Sequence, residues 1–211
     1  FHSISVAVDD GMPPVLDTLR EVDKSFREVP SQVDSRVSTQ FMTRDRFKVE
    51  FLTPNRGGDE LGGKPAPMPA LGGAAAQPLR FLDFLIYQPI RAVMLYGAGV
   101  PVTIPAPERY AVHKLIVAQR RFTDKDGTAK SQKDLMQAAA LMCALIELKR
   151  TADLADVFVE ACDRGPTWRD LIFKSLGSLS AADTGVIMPA LASELKKNGL
   201  EPAAYGLSSQ G

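Results

Sequence analysis

The sequence predicts an α+β protein, with a mixed-sheet domain over residues 1–104, a helical bundle over 105–200 and a tail to 211. Three observations carry this. β-Branched and aromatic runs separated by turn residues fill the first half. Pro105-Ala106-Pro107 then interrupts the chain, and beyond it apolar residues recur at helical spacing.

Taken in order, residues 4–8 are a β-branched run ending at Asp9-Asp10-Gly11, the pattern of a strand and its turn. Val15, Leu19, Val22 and Phe26 recur at helical spacing and predict an amphipathic helix over about residues 13–29, closed near Pro30. Residues 36–42 and 46–53 read as two strands of a hairpin. In the second, Phe47, Val49 and Phe51 share one face, while Lys48, Glu50 and Leu52 share the other. From Pro54 to Pro78 the chain turns rich in Gly, Pro and Ala and predicts a long loop. Residues 79–86 form a short strand or helix, and 91–96 with 100–104 form a hairpin around Gly97-Ala98-Gly99.

After Pro105, a helix over 107–121 has Pro107 in its first turn and Glu108 at its positive end. Ser131 is positioned to cap the next helix, which would place Asp134 in its first turn; that helix runs to about Arg150. Further helices are expected over 152–163, 167–176 and 181–197, the last closed by Asn198-Gly199. Residues beyond Pro202 read as a loose tail.

Composition excludes several classes. With 45% hydrophobic and 24% charged residues and no apolar run near the ~20 residues of a membrane helix, the chain reads as soluble, with no membrane partner. Lys+Arg and Asp+Glu balance at 25 each, so any polyanion binding must come from a local patch. Cys143 and Cys162 fall inside helical patterns and read as small core residues in a reducing, cytoplasmic setting. His2 and His113 are too few for a zinc cluster. The start at Phe1, without Met or a signal-like region, reads as a piece of a longer polypeptide.

The residues able to carry chemistry are few. Glu50 is one carboxylate on a strand beside a Gly-rich segment. Metal-dependent nucleotidyl transfer needs two or three carboxylates on Mg²⁺, to activate the attacking hydroxyl and neutralise the leaving pyrophosphate. Asp9 and Asp10 point to opposite faces of an extended chain and suit a turn better. Tyr110, Lys114, Val117 and Arg121 share a helical face, and Lys114 and Arg121 with Lys130 and Lys133 make a compact basic group suited to a triphosphate. Asp134 stabilises its helix and is able to orient a lysine. His113 has no triad-like company and reads as a structural histidine, and Trp168 and Met188 read as core.

Taken together, Arg46-Phe-Lys-Val-Glu-Phe-Leu-Thr-Pro-Asn-Arg-Gly57, the Gly/Pro-rich segment, Pro105-Ala-Pro-Glu-Arg-Tyr-Ala-Val-His-Lys-Leu115 and Lys130-Ser-Gln-Lys-Asp-Leu135 resemble a bacterial group of nucleotidyltransferase-fold proteins in the DNA polymerase β superfamily. The likeness runs from Phe1 to about Lys149. It implies a nucleotidyltransferase-like mixed-sheet domain that moves an NMP from an NTP to a hydroxyl with Mg²⁺. It also implies Glu50 as the third metal-binding carboxylate, with Lys114 and the Lys133-Asp134 pair lining the nucleotide cleft. The family's Gly-Ser motif and Asp-x-Asp strand are expected upstream of Phe1, so this piece alone is expected not to catalyse. The acceptor is left open among RNA, protein and small molecule, and a homo-oligomer is compatible with the sequence. The alternative is a noncatalytic nucleotide-binding or protein-interaction module on the same fold. A third reading makes the later helices an oligomerisation or toxin-neutralising surface, which an exposed apolar patch over 171–179 would support.

Overall fold

The computed structural model describes residues 13–31, 33–55, 64–69, 72, 74–121 and 127–207, so the expected strand at 4–8, with Asp9 and Asp10, lies outside the described residues. The chain divides into two compact units, 1–83 and 84–211, whereas the sequence placed the boundary at 104/105. The 90–104 hairpin falls within the second unit.

In the first unit, helix α1 (Val15–Val22) is shorter than the predicted 13–29. Asp23 is extended and its carboxylate accepts the Ser25 backbone N–H at 2.8 Å, which diverts the chain from the helix. Phe26 then enters the core and strand β1 (Arg27–Pro30) follows. The helical spacing of Phe26 was coincidental. Strands β2 (Ser38–Met42) and β3 (Lys48–Glu50) form the expected hairpin, and β1 adds antiparallel to β2, giving the order β1-β2-β3.

The predicted loop from Pro54 to Pro78 contains two strands, β5 (Ala66–Met68) and β6 (Ala74–Leu79). With β4 (Leu52–Pro54) they make a second sheet of order β4-β6-β5, parallel at β4–β6 and antiparallel at β5–β6. Ala74, Ala75 and Ala76 are buried, so burial against neighbours outweighs the weak strand propensity of alanine. Phe51 stitches the two sheets together: its N–H donates to Thr39 O at 2.9 Å and its carbonyl accepts from Gln77 N at 2.8 Å. A mixed sheet results, as predicted. Its core joins Phe26, Phe41 and Ala74 to Val15, Leu16, Leu19, Val49 and Phe51, with Phe41 and Phe51 edge to face at 5.8 Å. Phe47 touches Phe26 edge-on at 6.4 Å but is otherwise exposed, so the predicted aromatic core face holds for Val49 and Phe51 only.

A short helix, α2 (Leu82–Leu85), crosses the division between the units. In the second unit, β7 (Ile90–Met94) and β8 (Val100–Ile104) pair antiparallel, closed by a turn in which Gly97 and Gly99 both take positive φ, at 56° and 94°. The helices are α3 (Pro107–Ala118), α4 (Gly127–Glu147), α5 (Thr151–Asp163), α6 (Pro166–Leu176) and α7 (Ala181–Lys197). Their existence follows the sequence periodicity closely. Ser131, expected as a cap, is instead buried inside α4, which already begins at Gly127. Ser180 does cap α7, accepting from Asp183 N at 3.1 Å.

Helix α3 is central to this unit and packs on α4, α5 and α6. Val112, Leu115, Ile116, Met142, Leu154, Phe158, Ile172, Ile187, Leu191 and Leu195 are fully buried. Between α3 and α6, Ser175 Oγ donates to Leu115 O at 2.6 Å and accepts from Gln119 Nε2 at 3.1 Å. Cys162 is buried, which pushes its thiol up to about 12, while Cys143 is half-buried; both are free. Trp168 and Met188 are half-buried rather than core. The tail beyond Pro202 is not loose through Leu207: Pro202–Tyr205 form a 3-10 turn, and Pro202 and Leu207 are buried. No helix among the described residues is long and apolar enough to cross a membrane.

Candidate functional site

Two helices build the charged site of the second unit. Lys114 and Arg121 lie seven residues apart on the α3 side, two helical turns, and so project the same way. Opposite them on α4, Asp134 receives Lys114 Nζ on one carboxylate oxygen at 2.5 Å and Arg121 Nε on the other at 3.1 Å. The Asp134 side chain is 2% exposed and that of Lys114 12%, so the pair is largely removed from water. Burial works to raise the Asp134 carboxyl, but hydrogen bonds from Lys114 and Arg121 outweigh it and hold the group below the ordinary carboxylate range. Asp134 is the eighth residue of α4, not a first-turn residue, so its stabilisation comes from these two cations rather than from the helix end. Lys114 Nζ also sits 5.1 Å from the centre of the Tyr110 ring.

Beside this pair, His113 Nδ1 is buried with no hydrogen-bond partner among the described residues. Burial, with repulsion from Lys114 and Arg121 against the opposing attraction of Asp134, pushes the imidazole down to about 4. It is neutral near pH 7. Lys130 and Lys133 are exposed on α4 within one turn of Asp134, and Arg121 is partly exposed while it holds the Asp134 carboxylate. The predicted basic group thus splits into an internal set, Lys114 and Arg121 on Asp134, and the exposed Lys130 and Lys133.

Glu50 stands in the first unit, on β3 opposite Gln40 of β2. Its side chain is 40% exposed and Lys48 Nζ lies 3.5 Å away, so the predicted polar face of the strand is present. A Mg²⁺ ion takes near-octahedral oxygen ligands, commonly one or two carboxylates completed by phosphate and water. Among the described residues no group of three His, Cys, Asp or Glu side chains could hold a metal. Glu50 is a single carboxylate beside a lysine, so these residues do not by themselves fit a Mg²⁺ site.

Sequence reasoning missed Arg109. Its side chain is 7% exposed, its guanidinium donates to both oxygens of Glu160 at 3.3 and 2.7 Å, and its Nη1 reaches Phe84 O at 3.4 Å. It is stacked over Phe84 and Tyr87, with ring centres 5.0 and 4.6 Å from Cζ. Arg164 also donates to Glu160, at 2.8 Å, and lies over Phe84 and Trp168. A signal was available: Arg109 falls in the stripe with Val112 and Ile116, where an apolar residue would be expected.

A family model described as nucleotidyltransferase matches residues 1–163. The chain belongs to this nucleotidyltransferase family. No curated protein and no solved structure matches it. The match takes in the strand of Glu50 and helices α3, α4 and α5 of this nucleotidyltransferase, and the mixed sheets with a following helical region agree with the fold the sequence implied.

Proposed function

We propose that the protein transfers a nucleoside monophosphate from an NTP to a hydroxyl of an acceptor, with Mg²⁺ as the ion that the phosphate chemistry calls for. The observation that carries this reading is membership of a nucleotidyltransferase family over residues 1–163, a span holding both Glu50 and the α3–α4 charge cluster. In this reading Arg121, Lys130 and Lys133 hold the triphosphate by charge-assisted hydrogen bonds. The Lys114–Asp134 pair fixes α3 against α4 so that this outward positive face keeps its shape. Glu50 would supply one carboxylate of such a metal site. The acceptor is a hydroxyl of an RNA, a protein or a small molecule.

A second reading has a specific observation in its favour. With Glu50 in no metal-binding group among the described residues and beside Lys48, the same fold serves as a noncatalytic nucleotide-binding or protein-interaction module. Calorimetric titration of each NTP, with and without Mg²⁺, separates the two. The transferase reading expects Mg²⁺-dependent binding that Glu50→Ala weakens about tenfold or more and that Lys133→Ala also weakens. Binding indifferent to Mg²⁺ and to Glu50→Ala would leave the noncatalytic module, and no binding of any NTP would sink both nucleotide readings.

A further inference from the structure

The apolar surface expected over 171–179 is not exposed: Leu171, Ile172, Phe173, Leu176 and Leu179 are buried or half-buried. The polar interior beside the charge cluster says more. Three buried side-chain atoms find no hydrogen-bond partner among the described residues, His113 Nδ1, Gln137 Oε1 and Arg169 Nε. Arg169 stands on α6, whereas His113 and Gln137 stand on the packed pair α3 and α4. A buried polar group left unsatisfied costs about 1–3 kcal/mol, so two on one helix pair call for an explanation. Only residues 119–126 connect α3 to α4, so the two packed helices run antiparallel. Gln137 is three residues past Asp134 and is its neighbour on the α4 surface, displaced toward the α3 level of His113 and Lys114. His113 directly precedes Lys114, whose Nζ is held by Asp134. The two unpartnered atoms therefore flank the Lys114–Asp134 ion pair, one from each helix.

Both groups are neutral, one a side-chain amide and the other an imidazole uncharged near pH 7. Gln137 turns its carbonyl oxygen inward, and the uncharged ring leaves Nδ1 able to accept a hydrogen bond. They offer lone pairs at the edge of a cluster whose lysines and arginine offer positive charge. A phosphate is drawn to those cations and repelled by the two acceptors, whereas an N–H group behaves the opposite way. A nucleotide carries both kinds of group, at opposite ends. We infer that His113 and Gln137 form a subsite that accepts hydrogen bonds from the exocyclic amino group of a nucleobase, selecting adenine, guanine or cytosine over uracil. An amino group has two hydrogens for the two acceptors, while a ribose hydroxyl has one. The subsite presupposes that the cluster binds an NTP, as proposed above, and assigns the base end of that ligand.

Calorimetric titration of matched nucleotides tests the subsite: ATP against purine riboside triphosphate, GTP against inosine triphosphate, and CTP against UTP, the second of each pair lacking the amino group. At least one amino-bearing nucleotide should bind about tenfold or more tightly than its counterpart. Gln137→Leu and His113→Leu should each reduce that preference to about threefold or less by weakening the amino-bearing member alone. A merely structural role would weaken both members equally and leave the preference in place. Should either variant fail to fold by circular dichroism, Gln137→Met or His113→Met replaces it. NTP binding without preference for the amino-bearing member in any pair overturns the subsite and leaves the nucleotide reading standing, whereas no binding of any NTP overturns both. A preference that survives either substitution, with or without a fall in overall affinity, also overturns it.

Discussion

Asp134 holds Lys114 and Arg121 at once, one on each carboxylate oxygen, from a position almost wholly removed from water. Such a pair contributes little beyond what apolar residues of similar size would, yet breaking it leaves an uncompensated charge inside the protein.

Asp134→Asn is therefore expected to lower the stability of the helical unit by about 3 kcal/mol or more. Thermal unfolding should register this as a fall of roughly 6–12 °C in Tm. Replacing both partners, Lys114→Met with Asp134→Leu, should cost less than Asp134→Leu alone; a double variant as unstable as the single one would refute the account. The pH dependence follows the sign of the shift. The folded carboxyl is depressed, so its stabilisation is fully present above the unfolded value near 4 and is lost as pH falls through the lower folded value.

His113 acts in a higher window. Its folded value of about 4 lies below the unfolded value near 6.5, so its contribution is complete above pH 6.5 and disappears as pH falls toward 4. By pH 5 the loss should be on the order of 2 kcal/mol. The Tm of the wild type should therefore drop between pH 7 and pH 5, and that of His113→Gln should drop less. Parallel curves would show that His113 is not the group responsible.

Arg109 couples α3 to α5 through Glu160 while its guanidinium plane rests on Phe84 and Tyr87. Lysine cannot reproduce a two-pronged, stacked contact, so Arg109→Lys should cost about 2 kcal/mol despite keeping the charge. A double-mutant cycle with Glu160→Gln, read by denaturant unfolding, should give a coupling of about 1–2 kcal/mol. A coupling indistinguishable from zero would reduce the pair to a contact without energetic weight.

What was legible in the sequence depended on whether local pattern and tertiary outcome agreed. The β7–β8 hairpin and helices α3 to α7 could be read because glycine turns and helical spacing say the same thing as the packing. Strand β6 could not, since Ala74, Ala75 and Ala76 have no strand preference of their own and are held extended by β4 and β5. Strand β1 was hidden because Phe26 repeats the spacing of α1 while belonging to the next element. In the charge cluster, the seven-residue separation of Lys114 and Arg121 was enough to bring them together. The place of Asp134 was half legible: its capacity to orient a lysine was readable, but the apparent cap at Ser131 shifted the helix start and concealed that Asp134 lies inside α4. Arg109 was passed over because a cation on an apolar stripe looks like noise until its partner Glu160, 51 residues away, is known.

The family match ends at residue 163, but the core around α3 does not. Ile172, Ser175 and Leu176 of α6 and Ile187, Leu191 and Leu195 of α7 are fully or almost fully buried, and Ser175 binds the backbone of Leu115 itself. The boundary visible to sequence kinship thus cuts through a single folding unit. Helices α6 and α7 are bound to the rest by interior contacts rather than added as an appendage, and a polypeptide severed after Asp163 would keep the recognisable part of the sequence while losing one wall of its hydrophobic interior.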